Sequence, residues 1–243
     1  MRIAVNTRFL LPGKMEGYGY FIEEVFCRIA KNNPEHEFYF LFDRPYDTTI
    51  ICSDNIHPVV VKPQARHPLL WKIWYDWQIP ITLKKIKADI FVSPDGFCSL
   101  KTKVPQCLVI HDLAFLHHPD SMVKSHLPYY KKRTPLFLKM AKTIATVSAF
   151  SKQDICSHYP VEPEKISIVY SAANPVFVPL AEEEKEKVKQ QYTSGSEYFL
   201  FTGAIHPGKN LINLLKAYSV FKQKQKSSMK LVIAGRMAWK TDA

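Results

Sequence analysis

Short β-rich runs alternate with segments of helical periodicity along nearly the whole chain, and that alternation leaves few folds open. Arg2 to Phe9 reads as a buried first strand, followed by the loop PGKMEGYG. Ile22, Val25, Phe26 and Ile29 then recur at i, i+3, i+4 and i+7, one face of a helix. Glu37 to Phe42 and Val59 to Val61 read as strands. Leu70, Ile73, Trp74 and Trp77 repeat the helical spacing, which Pro80 should end or kink. Asp89 to Val92, Cys107 to Ile110, Thr143 to Val147 and Ile166 to Tyr170 read as further strands. Ser148 or Ser151 can cap a helix running toward His158. Such alternation implies an α/β fold with a parallel sheet covered on both faces. Ligands of these sheets bind beyond the carboxyl ends of the strands. Functional residues are therefore expected just after strands.

Composition changes near Asn174. NPVFVPL is bounded by prolines and extended, EEEKEKVKQQ is a charged, solvated helix, and GSEYFLFTG opens a new strand. The reading is a first Rossmann-like domain over 1–172, a linker over 173–195 and the beginning of a second domain over 196–243. Strand Tyr198 to Thr202, a helix with Leu211, Leu214, Leu215 and Tyr218 on one face, and strand Lys230 to Ala234 follow the linker. One β-α-β unit is too little to close a core, so the second domain is expected to be incomplete and the chain a fragment.

Hydrophobic residues make up 47% of the 243 positions and aromatics 13%, which argues against disorder. There are 33 Lys and Arg against 22 Asp and Glu, a formal charge of +11. That excess favours anionic partners: nucleic acid, an anionic membrane leaflet, or phosphate-bearing substrates. The five cysteines, Cys27, Cys52, Cys98, Cys107 and Cys156, contain no C-x-x-C pair. They read as reduced and mostly buried, as in an intracellular protein, with neither a disulfide framework nor a zinc site. Ile3 to Leu11 is too short and too interrupted for a signal peptide or a membrane span. A soluble or peripheral protein is expected.

Four stretches together carry a resemblance that covers nearly the whole chain. They are EGYGYFIEEV after the first strand, VIHDLAFLHHP, ATVSAFSKQDICSHYPVEPEKISIVYSAANPVF, and YFLFTGAIHPGKNLINLLKAYSVF followed by LVIAGRMAW. In this order and spacing the chain is similar to glycosyltransferase family 4, whose members have the GT-B fold of two Rossmann-like domains. The resemblance implies retaining transfer of a sugar from a nucleoside-diphosphate sugar, UDP- or GDP-linked, with no cofactor and no obligatory metal. The acceptor would be a carbohydrate or a lipid-linked carbohydrate, held by the first domain, in cell-surface polysaccharide or lipopolysaccharide synthesis. The family's paired glutamates that contact the donor would fall beyond Ala243, so the fragment alone is expected to be inactive.

The same resemblance assigns roles residue by residue. Gly17 and Gly19, flanking Tyr18, would border the donor diphosphate; glycine admits close backbone approach and a helix start favours an anion. The family often has a Gly-Gly pair where this chain has Glu16-Gly17. His111, ending CLVIHD, would be catalytic and face the transferred sugar. Lys209 in TGAIHPGKN would be catalytic too, stabilising the leaving diphosphate at a helix start. The arginine common beside that lysine is replaced by Gly208, and Arg236 after the next strand could partly compensate. Ser171-Ala172 replaces the family's Asn-Gly, in a segment read as interdomain structure. The pair His111-Asp112 ends a strand and lacks the further ligands of an HD-type metal phosphohydrolase. His117 and His118 read as loop residues, and no metal site is expected.

Aromatic and basic residues cluster twice, in Trp71, Trp74, Tyr75 and Trp77 ahead of Lys84, Lys85 and Lys87, and in KSHLPYYKKR. Trp74 and Trp77 are assigned to the core. Tyr18, Trp71, Tyr75, Tyr129, Lys131, Lys132 and Arg133 are assigned to the acceptor or membrane side. No nucleic-acid motif accompanies them, so nucleic acid is not expected as a partner. The expected location is cytoplasmic, with peripheral contact on the inner, anionic face of the cell membrane. Two alternatives stand beside the transferase: a non-catalytic binding or scaffold protein of the same fold, and another GT-B enzyme such as a sugar-nucleotide epimerase. The HD and GAIHPGKN stretches argue against the second.

Overall fold

The computed structural model describes residues 1–11, 13 and 15–237. Seven parallel strands form one sheet: β1 (Arg2–Asn6), β2 (Glu37–Phe42), β3 (Ile56–Val60), β4 (Ile90–Ser93), β5 (Gln106–Ile110), β6 (Thr143–Thr146) and β7 (Ile166–Ile168). Their spatial order is β3-β2-β1-β4-β5-β6-β7. The chain steps outward from β1 to β3, then returns to the other side of β1 and runs out to β7. The reversal opens a crevice between β1 and β4 at their carboxyl ends, where doubly wound sheets bind ligands. The strands are apolar because the sheet is covered: Ala4, Val5, Phe38, Phe40, Leu41 and Phe42 are all buried.

Helix α1 (Gly17–Asn32) buries Gly19, Ile22, Phe26 and Ala30. Ile22, Phe26 and Ala30 share one apolar cluster with Val5, Phe38, Phe40 and Ile56 of the first three strands. Full burial of side chains the size of Ile22 and Phe26 stabilises by roughly 1.5–3 kcal/mol each. The buried stripe is rotated from the expected one. Val25 is only half-buried and Ile29 is exposed.

Pro80 does not end the next helix. Helix α2 (Pro68–Ile73) passes through a π-helical turn over Trp74–Gln78 into α3 (Ile79–Ile86), with Pro80 in the first turn of α3. A missing N–H is tolerated there. The wider π turn lets three consecutive residues, Trp74, Tyr75 and Asp76, face inward. It also turns Trp77 outward to 62% exposure, so only Trp74 of the two expected core tryptophans is buried.

Three helices follow: α4 (Ala114–His117), α5 (Leu127–Met140) and α6 (Ala149–His158). Ser148 is the N-cap of α6, its side chain accepting from the Ser151 amide.

The cysteines depart from the sequence expectation. Cys27 of α1 and Cys52, between β2 and β3, form a disulfide across a Cα separation of 5.8 Å. Their 25-residue spacing carries no local signature, and the packing of α1 beside the β2–β3 connection is what brings them together. Cys98, Cys107 and Cys156 are free thiols.

The described chain divides into two compact units, one of Met1–His117 with Lys124–Ser171, the other of His118–Val123 with the chain from Ala172 onward. The second carries α7 (Glu182–Thr193), β8 (Tyr198–Thr202), α8 (Leu211–Gln225) and β9 (Lys230–Ala234), with β8 and β9 paired in parallel. A Cβ on Gly235 would lie 1.8 Å from the Gly203 carbonyl oxygen, so the chain after β9 can approach that after β8 only as glycine. No residue of α8 is buried. Ala238 and Trp239 of the fourth motif lie outside the described residues. No helix among the described residues is long and apolar enough to cross a membrane.

Candidate active site at the sheet switch point

The crevice between β1 and β4 is spanned by a buried ion pair. Arg8, just after β1, places Nε 2.5 Å from Oδ2 of Asp95, just after β4. Tyr75 donates its hydroxyl to the same oxygen at 2.6 Å, and Asn6 Nδ2 donates to the Tyr75 hydroxyl at 2.7 Å. The Ser93 hydroxyl and the Phe97 amide reach Asp95 Oδ1 at 3.2 and 3.3 Å. Arg8 also donates to the Ala65 carbonyl at 3.0 Å and lies 4.6 Å from the Phe9 ring centroid and 5.3 Å from that of Phe97. A charge this deep is tolerable only with such partners. Burial alone would lower the Arg8 pKa, but the charge of Asp95 and its hydrogen bond oppose that and hold the guanidinium charged. Burial, foremost, also keeps the Tyr75 phenol protonated.

His111 lies immediately beyond the end of β5. Its Nε2 is 3.0 Å from the Pro94 carbonyl, which can only accept, so Nε2 carries the proton and Nδ1 presents a lone pair. The ring is packed edge-on by Tyr18 at 4.5 Å and Phe21 at 4.9 Å between centroids. The Ser151 hydroxyl donates to the His111 carbonyl at 2.9 Å. Burial lowers the His111 pKa below the usual 6.5, against smaller opposing effects of the Pro94 carbonyl, Asp112 and Asp95. The imidazole is therefore neutral at pH 7.

The glycines of the first loop do different work. A Cβ on Gly17 would meet open space, whereas one on Gly19 would sit 2.7 Å from the Phe9 carbonyl oxygen and 3.2 Å from Met15 Sδ. Gly19 is thus required by the packing of α1 on the segment after β1. Between them, Tyr18 stacks on Phe9 at 5.3 Å. Burial, then Tyr130 and the carboxylates of Asp112 and Asp95, raises its pKa well above the usual range.

In the second unit, Lys209 closes a 3₁₀ turn, Pro207–Lys209, two residues before α8. Its side chain is exposed, with Cε over Gly203. Desolvation and the Lys209 charge lower the pKa of neighbouring His206. Arg236 follows β9, and its carbonyl accepts from the Ile205 amide at 2.9 Å.

Several residues assigned to an acceptor or membrane side are structural. Trp71 and Tyr75 are buried, and Trp71 donates Nε1 to the Ala65 carbonyl at 2.7 Å. Arg133 pairs with the buried Asp76 at 3.0 Å, and Tyr129 packs against Trp71 and Phe97. Both belong to the inward face of α5, which the KKR run conceals in the sequence. Lys131 and Lys132 are exposed. Arg8 and Asp95 were missed because each is an isolated charge in an ordinary turn. Their only signal is position, just beyond the two strands that flank the switch point. His117 and His118 are not alike either: His117 ends α4 and reaches Asp154 of α6.

Comparison with known proteins agrees with this architecture. The family model described as Glycosyltransferase Family 4 matches residues 24–176. The chain is 27% identical over 192 residues to the O-antigen chain mannosyltransferase RfbU of Salmonella typhimurium, covering 77% of this chain and 48% of that protein. It is 28% identical over 182 residues to O-antigen chain mannosyltransferase B of Escherichia coli, covering 73% and 47%. It thus spans about half the length of these relatives. In fold it is similar to WaaG, a glycosyltransferase involved in lipopolysaccharide biosynthesis, with a TM-score of 0.64 at 13% identity over 95% of this chain and 62% of that one. Anabaena HepE in complex with UDP and glucose gives 0.61 at 13% identity over 98% and 62%. With the switch-point sheet, the placement of His111 and a family match over most of the first unit, the chain belongs to glycosyltransferase family 4 and has the GT-B fold.

Proposed function

We propose that the protein transfers a sugar from a nucleoside-diphosphate sugar, UDP- or GDP-linked, to a carbohydrate or lipid-linked acceptor with retention, in cell-surface polysaccharide or lipopolysaccharide assembly. The observation that carries this reading is the fixed imidazole of His111. With Nε2–H committed to Pro94, the neutral ring offers Nδ1 as an acceptor at the carboxyl end of the sheet. It suits a sugar hydroxyl, and it has no charge to lend a leaving group. Negative charge developing on the departing diphosphate then needs cations and amide dipoles elsewhere, the work assigned to Lys209 and Arg236 and to the start of α1 beside the open Gly17. The two mannosyltransferase relatives and the UDP and glucose of HepE support this donor class.

The cytoplasmic, peripheral location is part of the proposal. Trp77 and Ile81 are exposed on the α2–α3 helices beside Lys84 and Lys85, an apolar and cationic combination suited to an anionic lipid surface.

The test is release of nucleoside diphosphate by the full-length gene product across a panel of UDP- and GDP-sugars. One donor should be turned over, with Lys209→Ala and His111→Ala each reducing turnover at least about a hundredfold, the scale of losing one preorganised electrostatic contact. A full-length protein that binds no nucleotide sugar would overturn the proposal in favour of a non-catalytic binding role.

A further inference from the structure

Away from the switch point, His117, Asp154 and His158 converge. His117 Nε2 lies 2.9 and 2.8 Å from the two carboxylate oxygens of Asp154. His158 Nδ1 lies 3.1 Å from Oδ1 of the same carboxylate. Asp154 and His158 are one helical turn apart on α6, so they share a face, while His117 arrives from the end of α4. One ligand atom from each lies within 4.8 Å of the other two, and the two rings stand 5.2 Å apart at 85°. Asp154 is 9% exposed, whereas the imidazoles are about 40% exposed.

We propose that these three residues form a binding site for a divalent transition-metal ion. Ligand atoms with this spread can all lie about 2.0–2.2 Å from a common centre after small rotations. Two imidazole nitrogens and one carboxylate suit Zn²⁺, Ni²⁺ or Cu²⁺, and do not suit Mg²⁺ or Ca²⁺, which take oxygen ligands. The buried carboxylate supplies an anchored anion, and the exposed side leaves room for water in the remaining positions. Without metal, both ring nitrogens face oxygens that only accept, so both must carry protons. Metal binding moves each proton to the other nitrogen of its ring. His158 Nδ1 must also give up its 2.9 Å contact with the Asp154 carbonyl. The ion would tie α4 to α6, the helix whose Ser151 holds the His111 carbonyl. The site is independent of the transferase reading.

The experiment is calorimetric titration of the metal-free protein with ZnSO₄, with the visible absorption of bound Co²⁺ as a second readout. The expected result is one ion per chain and a rise in Tm. Loss of a partner beyond the first ligands already weakens metal sites about 10–100-fold, so Asp154→Asn and His158→Gln should each cost at least about a hundredfold in affinity. His158→Gln, partly exposed and outside the core, keeps the test valid should Asp154→Asn fail to fold. Absence of saturable Zn²⁺ binding, or unchanged binding by a folded variant, would overturn the proposal.

Discussion

His111 donates from Nε2 to the Pro94 carbonyl at 3.0 Å, tying the end of β5 to the turn after β4. A single hydrogen bond thereby fixes the ring's orientation, its tautomer and the direction of its free lone pair. Because Asp95 follows Pro94, the same turn that holds His111 also receives Arg8.

The ring's burial, opposed by this bond, sets a pH dependence. The His111 pKa is lowered in the folded protein, chiefly by burial, so the unfolded chain binds the proton more readily. Stability is then full above pH about 6.5 and declines as pH falls from there toward the lower folded value. Urea unfolding of wild type and His111→Gln at pH 7.5 and pH 5 should show a smaller loss in the variant. Equal losses would assign the acid sensitivity elsewhere.

Breaking the Arg8–Asp95 pair from one side leaves a buried charge without its counterpart. Arg8→Ala and Asp95→Ala are each expected to lower unfolding free energy by about 3–5 kcal/mol. Arg8→Lys should not restore it, because one ammonium cannot reach both Asp95 and the Ala65 carbonyl as the planar fork does. A loss of unfolding free energy below about 1 kcal/mol would show that the pair behaves as a solvated one.

The thiol inventory is countable. Unfolded without reductant, the protein should give three reactive thiols with Ellman's reagent, and five after reduction. The Cys27→Ser, Cys52→Ser double variant should lose about 2–4 kcal/mol through the freer unfolded chain. Five thiols before reduction would mean the pair is open in the isolated protein.

Trp71 and Trp77 should behave oppositely. Trp71→Ala removes a buried ring and its indole hydrogen bond, costing about 3–5 kcal/mol. Trp77→Ala should stay within about 0.5 kcal/mol, yet weaken sedimentation with vesicles containing phosphatidylglycerol. Unchanged vesicle binding would remove Trp77 from the proposed lipid contact.

Much of the site was legible because motif residues fall where parallel strands end. His111 and the Gly17–Gly19 loop stand out since local sequence dictates strand, turn and helix start. Lys209 follows the same logic in the second unit, although its 3₁₀ turn puts it before the helix and not at its first residue. The Cys27–Cys52 pair has no spacing signature, and in the His117–Asp154–His158 cluster only Asp154 and His158 have one, a single helical turn; the third member of the cluster and the disulfide partner come from distant elements that packing brings together.

Alternation of strand and helix periods, by itself, determined the parallel sheet and the side of it that carries chemistry, since both follow from local periodicity and the handedness of βαβ crossovers. Tertiary structure decided which polar residues are structural. Trp71, Tyr75 and Arg133 have the composition of a surface patch, yet the π turn and the inward face of α5 bury or pair them. Composition reports what a residue can contact. Burial, which depends on how distant helices pack over the same strands, decides whether it meets solvent, ligand or another side chain.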